Sequence, residues 1–160
     1  MDDTRLPIEA FRVLAAIAWA DDRIDPQEIE AIGRAARAEG YADAELTSVD
    51  TALAQRTRLE DTDVSGLTPR QRLYLYATAT WVATLSFGIN DPERSFLDQL
   101  RKRMGLTTQE TEALDEALCD LLLRPHGMRP DRFDFAGLRK AVAERVEAVE
   151  AWTPVKGTKT

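Results

Sequence analysis

The residues of this sequence best suited to chemistry lie in one short acidic stretch. Asp21, Asp25 and Glu28 follow one another closely along the chain. Their carboxylates are the hard oxygen ligands that Mg²⁺ and Ca²⁺ prefer. The same residues also suit the start of a helix, because Pro26 follows Asp25 and Glu28 stands three positions after it, the spacing of a capping box. Asp21 precedes that turn, so capping does not explain it.

Two interpretations of this stretch therefore remain open. In the first, Asp21, Asp25 and Glu28 bind a divalent cation, either Ca²⁺ or Mg²⁺. Three carboxylates supply fewer than the six to eight oxygen atoms that Ca²⁺ prefers, so water, backbone carbonyls or a second loop would have to supply the rest. In the second interpretation these three residues only cap a helix and keep the protein soluble, without any metal.

The sequence offers little else for catalysis. It has one histidine, His126, and one cysteine, Cys119, so no Ser-His-Asp or Cys-His set can be built with confidence. We expect His126 to be solvated in a loop, and we expect Cys119, between Leu118 and Leu121, to be a core or half-buried thiol. The protein is accordingly predicted not to be an enzyme.

Composition limits the class of partner. The chain has 160 residues and a formal net charge of −7. An acidic chain is poorly suited to nucleic acid, whose sequence-independent binding depends on Lys and Arg. No apolar run approaches the roughly 20 residues that span a bilayer, so we expect no membrane insertion. A single cysteine and an acidic, polar start favour a cytoplasmic protein with an unidentified protein partner.

Apolar residues recur at helical spacing, which predicts an all-α single domain of about seven helices. The helix from Thr68 to about Phe87 is apolar almost all round, so we expect it at the centre of the domain. Gly40 and Gly105 are predicted helix stops. Asn90, with Glu93 three positions later, is a predicted cap, as is Thr107 with Glu110.

The chain also repeats itself at an offset of 89 − 24 = 65 residues, from Ile24 to Ile89. Glu28 matches Glu93 at this offset, and Gly40 matches Gly105. We infer two pseudo-symmetric three-helix units and one extra helix. The units span 6–55 and 68–123, the extra helix spans 134–151, and a flexible tail spans 153–160. The second unit has its own acidic loop, which is predicted to be a weaker cation site because it has fewer carboxylates: Asn90, Asp91 and Glu93.

The acidic stretch resembles a known family signature. The residues are Ala18-x-Ala20-Asp21-Asp22-x-Ile24-Asp25-x-x-Glu28, and the pattern Ala-Asp-Gly-x-Ile-Asp-x-x-Glu is typical of TerB-like domains, the tellurite-resistance and stress-associated family. The resemblance covers roughly residues 8 to 122, within a TerB-like helical domain assigned to 1–152. It implies an all-helical, internally duplicated fold with divalent metal at Asp21, Asp25 and Glu28.

The sequence departs from the family pattern at three positions. Asp22 replaces the usual glycine, while Ser86 and Asn90 stand where the second unit would carry aspartate. The function expected from the resemblance is a non-enzymatic module associated with stress or tellurite resistance that binds a divalent cation. The alternative is a helical protein-interaction or scaffold module without metal.

Overall fold

In the computed structural model of this protein, the regular structure of the described residues consists mainly of seven α-helices. The structure describes residues 5–85, 89–125, 127, 129–130 and 132–152, with side chains up to Arg145. No strand occurs in these ranges, so the predicted all-α fold of about seven helices is confirmed. A short 3-10 turn, Leu59–Asp61, lies between the third and fourth helices. In chain order the helices are α1 (Ala10–Ala18), α2 (Pro26–Ala38), α3 (Thr47–Ala54), α4 (Pro69–Thr84), α5 (Asp91–Met104), α6 (Thr108–Leu122) and α7 (Phe135–Trp152).

Side-chain caps determine where several helices begin. Capping boxes open α2, α4, α5 and α6, and each cap side chain accepts a backbone N–H from the first turn of its helix. Glycines with left-handed backbone follow two of these helices, Gly40 with φ +92° and Gly105 with φ +69°. The predicted caps and both glycine stops are therefore confirmed. The cap residues are Asp25, Thr68, Asn90 and Thr107.

Helix α4 lies at the centre of the domain. It contacts α1, α2, α5, α6 and α7, and every residue from Leu73 to Ala83 is buried. The hydroxyls of Thr78 and Thr80 donate to carbonyl oxygens one turn earlier, at 2.8 and 2.9 Å, so they can be buried without an unmet hydrogen bond. The predicted central helix is therefore confirmed.

Two predictions about individual side chains are wrong. The helical spacing of Ile29, Ile32 and Ala36 in the sequence predicts that they form the buried stripe of α2, but Ile29 is 40% exposed. Glu28 is 3% exposed. Glu28 lies one turn before Ile32, so it occupies the inward position that Ile29 was expected to take. Cys119 is exposed rather than buried, because it is rotated about 100° around α6 from the inward-facing Leu118.

Helix α7 is joined to the rest of the domain by aromatic and ionic contacts. The Trp81 ring stacks on Phe133 with centroids 4.2 Å apart, and α7 contacts both α4 and α6. The Arg139 guanidinium lies 4.8 Å from the centre of the Tyr74 ring and forms an ion pair with Glu39, whose side chain is 1% exposed. Glu39 also accepts the backbone N–H of Leu6. One buried carboxylate thus connects α2, α7 and the N-terminal segment.

The contacts of the two helix triplets are alike. Helix α1 contacts α2 and α3, as α4 contacts α5 and α6. The repeat of the whole units stays a prediction. Four predictions lie outside the described residues: those for Ser86, for the end of the central helix near Phe87, for His126 and for the tail, 153–160.

Among the helices in the described ranges, none is both long enough and apolar enough to cross a membrane.

Candidate functional site

The first acidic loop begins where α1 ends. The chain turns back at Asp22, which has a left-handed backbone with φ +66°. This conformation is typical of glycine, but aspartate is among the residues that tolerate it best. Asp22 therefore makes the turn that the family pattern assigns to glycine, and its carboxylate forms an ion pair with Arg56.

Asp25 and Glu28 both cap α2, as the spacing predicts. Asp25 Oδ1 accepts the backbone N–H of Gln27 at 2.8 Å, and Glu28 Oε1 accepts the backbone N–H of Asp25 at 3.1 Å. Each of these carboxyl groups therefore has one oxygen engaged by the helix start. Their second oxygens are not needed for the cap.

The second acidic loop repeats this arrangement at the start of α5. Asn90 Oδ1 accepts the backbone N–H of Glu93 at 2.9 Å, and Glu93 Oε1 accepts the backbone N–H of Asn90 at 3.0 Å. Asp91 is exposed at the first position of the helix. Glu93 is only 2% exposed.

The two loops, which were predicted as separate sites, meet in one cluster that we name the acidic corner: Asp21, Glu28, Asn90 and Glu93. Asn90 Nδ2 donates to Asp21 Oδ2 at 2.9 Å, while Asp21 Oδ1 accepts the backbone N–H of Arg23 at 3.1 Å. The carboxyl groups of Glu28 and Glu93 are hydrogen-bonded to each other. Asp21 therefore links the loops, which explains its place ahead of the capping turn.

Burial sets the protonation of this glutamate pair. Removal from water raises the pKa of Glu28 to about 8, and the nearby charges of Glu93 and Asp21 add to the effect. Burial likewise raises the pKa of Glu93. In the described part of the chain neither carboxyl is paired with a Lys or Arg. The pair therefore holds a shared proton at neutral pH.

The predicted metal residues do not all converge. Asp21 and Glu28 belong to the acidic corner, whereas Asp25 keeps one oxygen on the cap of α2 and Asp91 is exposed. Across the described residues, no group of three or more His, Cys, Asp or Glu side chains is arranged to hold a metal ion. The chemistry of the donors suits a hard cation, but the hydrogen bond between the two glutamates means that a cation would have to displace a proton to bind there.

The sequence contains a signal for the burial of the two glutamates, beyond the capping pattern. Glu28 stands four positions before Ile32, and Glu93 stands four before Leu97. Each glutamate thus continues the apolar stripe of its own helix, and a stripe residue faces the core whatever its type. A glutamate at this position in the first turn of both α2 and α5 predicts that the two carboxyl groups are buried.

Comparison with known proteins identifies no relative for this arrangement. No protein-family model matches the chain, and no curated protein and no solved structure gives a significant match.

Proposed function

We propose that this protein is a non-enzymatic, cytoplasmic TerB-like module that binds Ca²⁺ or Mg²⁺ at the acidic corner, in the setting of stress or tellurite resistance. The observation that carries the proposal is the buried pair of Glu28 and Glu93. Two carboxyl groups that face each other away from water, without a basic partner among the described residues, are costly to fold. A cation placed between them would offset that cost.

Helix capping does not account for the burial. The capping boxes of α4 and α6 use Gln71 and Glu110 in the same role, and both of these side chains remain half-exposed. A cap needs one oxygen near a backbone N–H and does not require the rest of the group to leave water. Burial at α2 and α5 therefore serves something besides the cap.

The acidic corner provides a plausible set of donors. The carboxyl groups of Glu28 and Glu93 are hydrogen-bonded to each other, and Asp21 lies close enough for its charge to raise both of their pKa values. A divalent cation would replace the shared proton and draw Asp21 inward, with water completing its coordination. Because both loops contribute, we expect one shared site rather than a strong and a weak one.

The test is a melting experiment with added Ca²⁺ or Mg²⁺. At a cation concentration about 100 times the Kd, binding should stabilise the protein by about 2.7 kcal/mol, which raises the Tm by roughly 5–10 °C. Asp21→Asn and Glu93→Gln keep the shapes of the side chains and remove a charge, so both should abolish most of this shift. Glu110→Gln, in the surface capping box of α6, is the matched control and should respond like the unmutated protein.

The second candidate is a helical protein-interaction or scaffold module without metal. It is favoured by the hydrogen bonds of the acidic corner, which already engage Asp21 with Asn90 and join the two glutamates. If millimolar Ca²⁺ and Mg²⁺ leave the Tm of the unmutated protein unchanged, the cation proposal is wrong and this second function stands.

A further inference from the structure

A cavity of about 410 Å³ opens between α4, α5 and α6. None of the carboxyl groups of the acidic corner lines it. Its walls are mixed: Leu97 and Leu118 supply apolar surface, and Tyr76, Thr80 and Asp115 supply polar groups. We name it the α4–α6 cavity. Small-molecule sites commonly combine an apolar wall with a few polar groups in this way.

At the predicted offset of 65 residues, the space in the first half that matches this cavity holds an indole ring. Trp19, directly after α1, is half-buried, and its Nε1 donates to the backbone carbonyl of Leu53 in α3 at 3.2 Å. Sixty-five positions later stand Thr84, at the end of α4, and Leu118, in α6. Both residues line the cavity. The cavity thus lies where the second half of the chain lacks the indole of the first.

The residues that line the cavity are also more polar than the residues at the matching positions of the first half. Phe11, Ala15 and Leu46 are buried apolar residues of the first half, and 65 positions later they correspond to Tyr76, Thr80 and Thr111. Loss of the tryptophan alone would leave an apolar void, which is destabilising. The hydroxyls of Thr80 and Thr111 donate to backbone carbonyls of their own helices, at 2.9 and 3.0 Å, so toward a ligand they can act only as acceptors. The walls are therefore more polar than those of the first half and suit a ligand that carries a hydrogen-bond donor.

The charged side chains of the cavity indicate which polar group a ligand would carry. Asp98 is already paired with Arg101 at 3.1 Å and with Lys102 at 3.2 Å. Asp115 makes no hydrogen bond or ion pair within the described part of the chain. Burial and the neighbouring Glu112 raise the pKa of the Asp115 carboxyl. A positively charged group beside Asp115 would therefore be stabilised.

The cationic side chains that line the cavity are less available to a ligand than Asp115 is. Arg94 lines the cavity and is exposed, as Asp115 is, but its Nη2 lies 3.5 Å from the carbonyl oxygen of Ile89. Arg101 also lines the cavity, and it is engaged by Asp98 and by the carbonyl oxygen of Leu106. The Asp115 carboxyl has no such partner among the described residues, so it is the charge left available to a ligand.

We propose that the α4–α6 cavity binds a small planar aromatic or heteroaromatic ring that carries a protonated amine. The ring lies between α4 and α6, at the place that corresponds to Trp19 in the first half. The amine lies against Asp115 at the mouth of the cavity.

The first test compares three probes of one shape and different charge by calorimetry. Tryptamine is cationic, indole is neutral and indole-3-acetate is anionic. Tryptamine should bind roughly tenfold more tightly than indole, as expected for a charge-assisted hydrogen bond, and indole-3-acetate should bind most weakly. Equal affinities, tightest binding of the anion, or no binding of tryptamine at millimolar concentration would each overturn the proposal.

Two variants locate the site. Asp115→Asn keeps the shape and removes the charge, so it should weaken tryptamine roughly tenfold and leave indole unchanged. Asp50→Asn, 65 positions earlier on the exposed side of α3, is its matched control and should bind as the unmutated protein does. Thr84→Trp restores the ring of the first half inside the cavity and should prevent binding of all three probes. If Asp115→Asn binds tryptamine unchanged, the assigned charge contact is wrong.

Cys119 provides a second readout that does not depend on heat of binding. It is the single cysteine of the chain, it is exposed, and it lines the cavity. Saturating tryptamine should slow its reaction with a small alkylating reagent severalfold, and should not do so in Asp115→Asn at the same concentration. An alkylation rate that tryptamine does not change in the unmutated protein would place the ligand elsewhere and contradict the proposal.

Discussion

At the scale of single residues, the glutamate pair determines how the protein responds to pH. The folded pKa of Glu28 is about 8, against 4.5 for the free side chain. Between these values the folded protein holds more protons than the unfolded chain does. The stabilising effect is therefore complete below about pH 4.5 and is lost as the pH rises through about 8.

We accordingly expect the Tm, measured with a metal chelator present, to fall as the pH rises from about 5 to about 8. Glu28→Gln cannot ionise, so it should flatten this part of the profile. Glu110→Gln, in the capping box whose glutamate is half-exposed, serves as the control and should keep the slope of the unmutated protein. An unchanged slope in Glu28→Gln would show that the pair does not share a proton.

The acidic corner also shows what single-residue patterns can predict. The caps at Asp25 and Asn90 follow from local spacing, because a capping box involves only the four residues that form it. The hydrogen bond between Asp21 and Asn90 joins residues 69 positions apart, so no local pattern could reveal it. A left-handed backbone is typical of glycine, and Asp22 adopts it although its position carries an aspartate.

At the scale of elements, the burial of α4 leads to a direct prediction. Val82 is completely buried in the middle of five contacting helices. Val82→Asp places a charge there without a partner and should destabilise the protein by roughly 4 kcal/mol or more. Urea unfolding followed by circular dichroism measures the effect.

Ala136→Asp is the matched control for this substitution. Ala136 is exposed in the first turn of α7, where a negative charge favours the helix start, so the change should stay within about 0.5 kcal/mol. A Val82→Asp protein as stable as its control would mean that α4 is not the centre of the domain.

Helix α4 was predictable because its residues are apolar on every side, and such a helix has no face to present to water. The orientation of α2 and α6 was less certain. An apolar residue beside the stripe, such as Ile29, looks like part of it in the sequence. Only packing against neighbouring helices decides that Glu28 faces inward and that Cys119 faces out.

At the scale of the whole molecule, the ion pair of Glu39 and Arg139 should be the strongest link between distant parts of the chain. Arg139→Met leaves the Glu39 carboxylate buried with its charge unpaired, which should cost about 3 kcal/mol or more. The double variant Glu39→Gln/Arg139→Met removes both charges and should recover much of that loss. Thermal or urea unfolding of the single and double variants gives the coupling energy.

The exposed ion pair of Arg37 and Asp43 is the control. Its atoms are 3.7 Å apart and its side chains are 57% and 91% exposed, so Arg37→Met should change stability by less than about 1 kcal/mol. Equal losses from Arg37→Met and Arg139→Met would show that burial adds nothing to the Glu39 pair.

The position of Glu39 also affects how the chain folds as it is made. Synthesis proceeds from the N-terminus, so α2 leaves the ribosome 139 − 39 = 100 residues before its partner cation on α7 exists. During that interval Glu39 lacks the cation that it pairs with in the folded protein, so burying its carboxylate would be costly. Helix α7 therefore completes the packing around a residue synthesised long before it, and a nascent chain halted before Arg139 should remain open to chaperones and proteases.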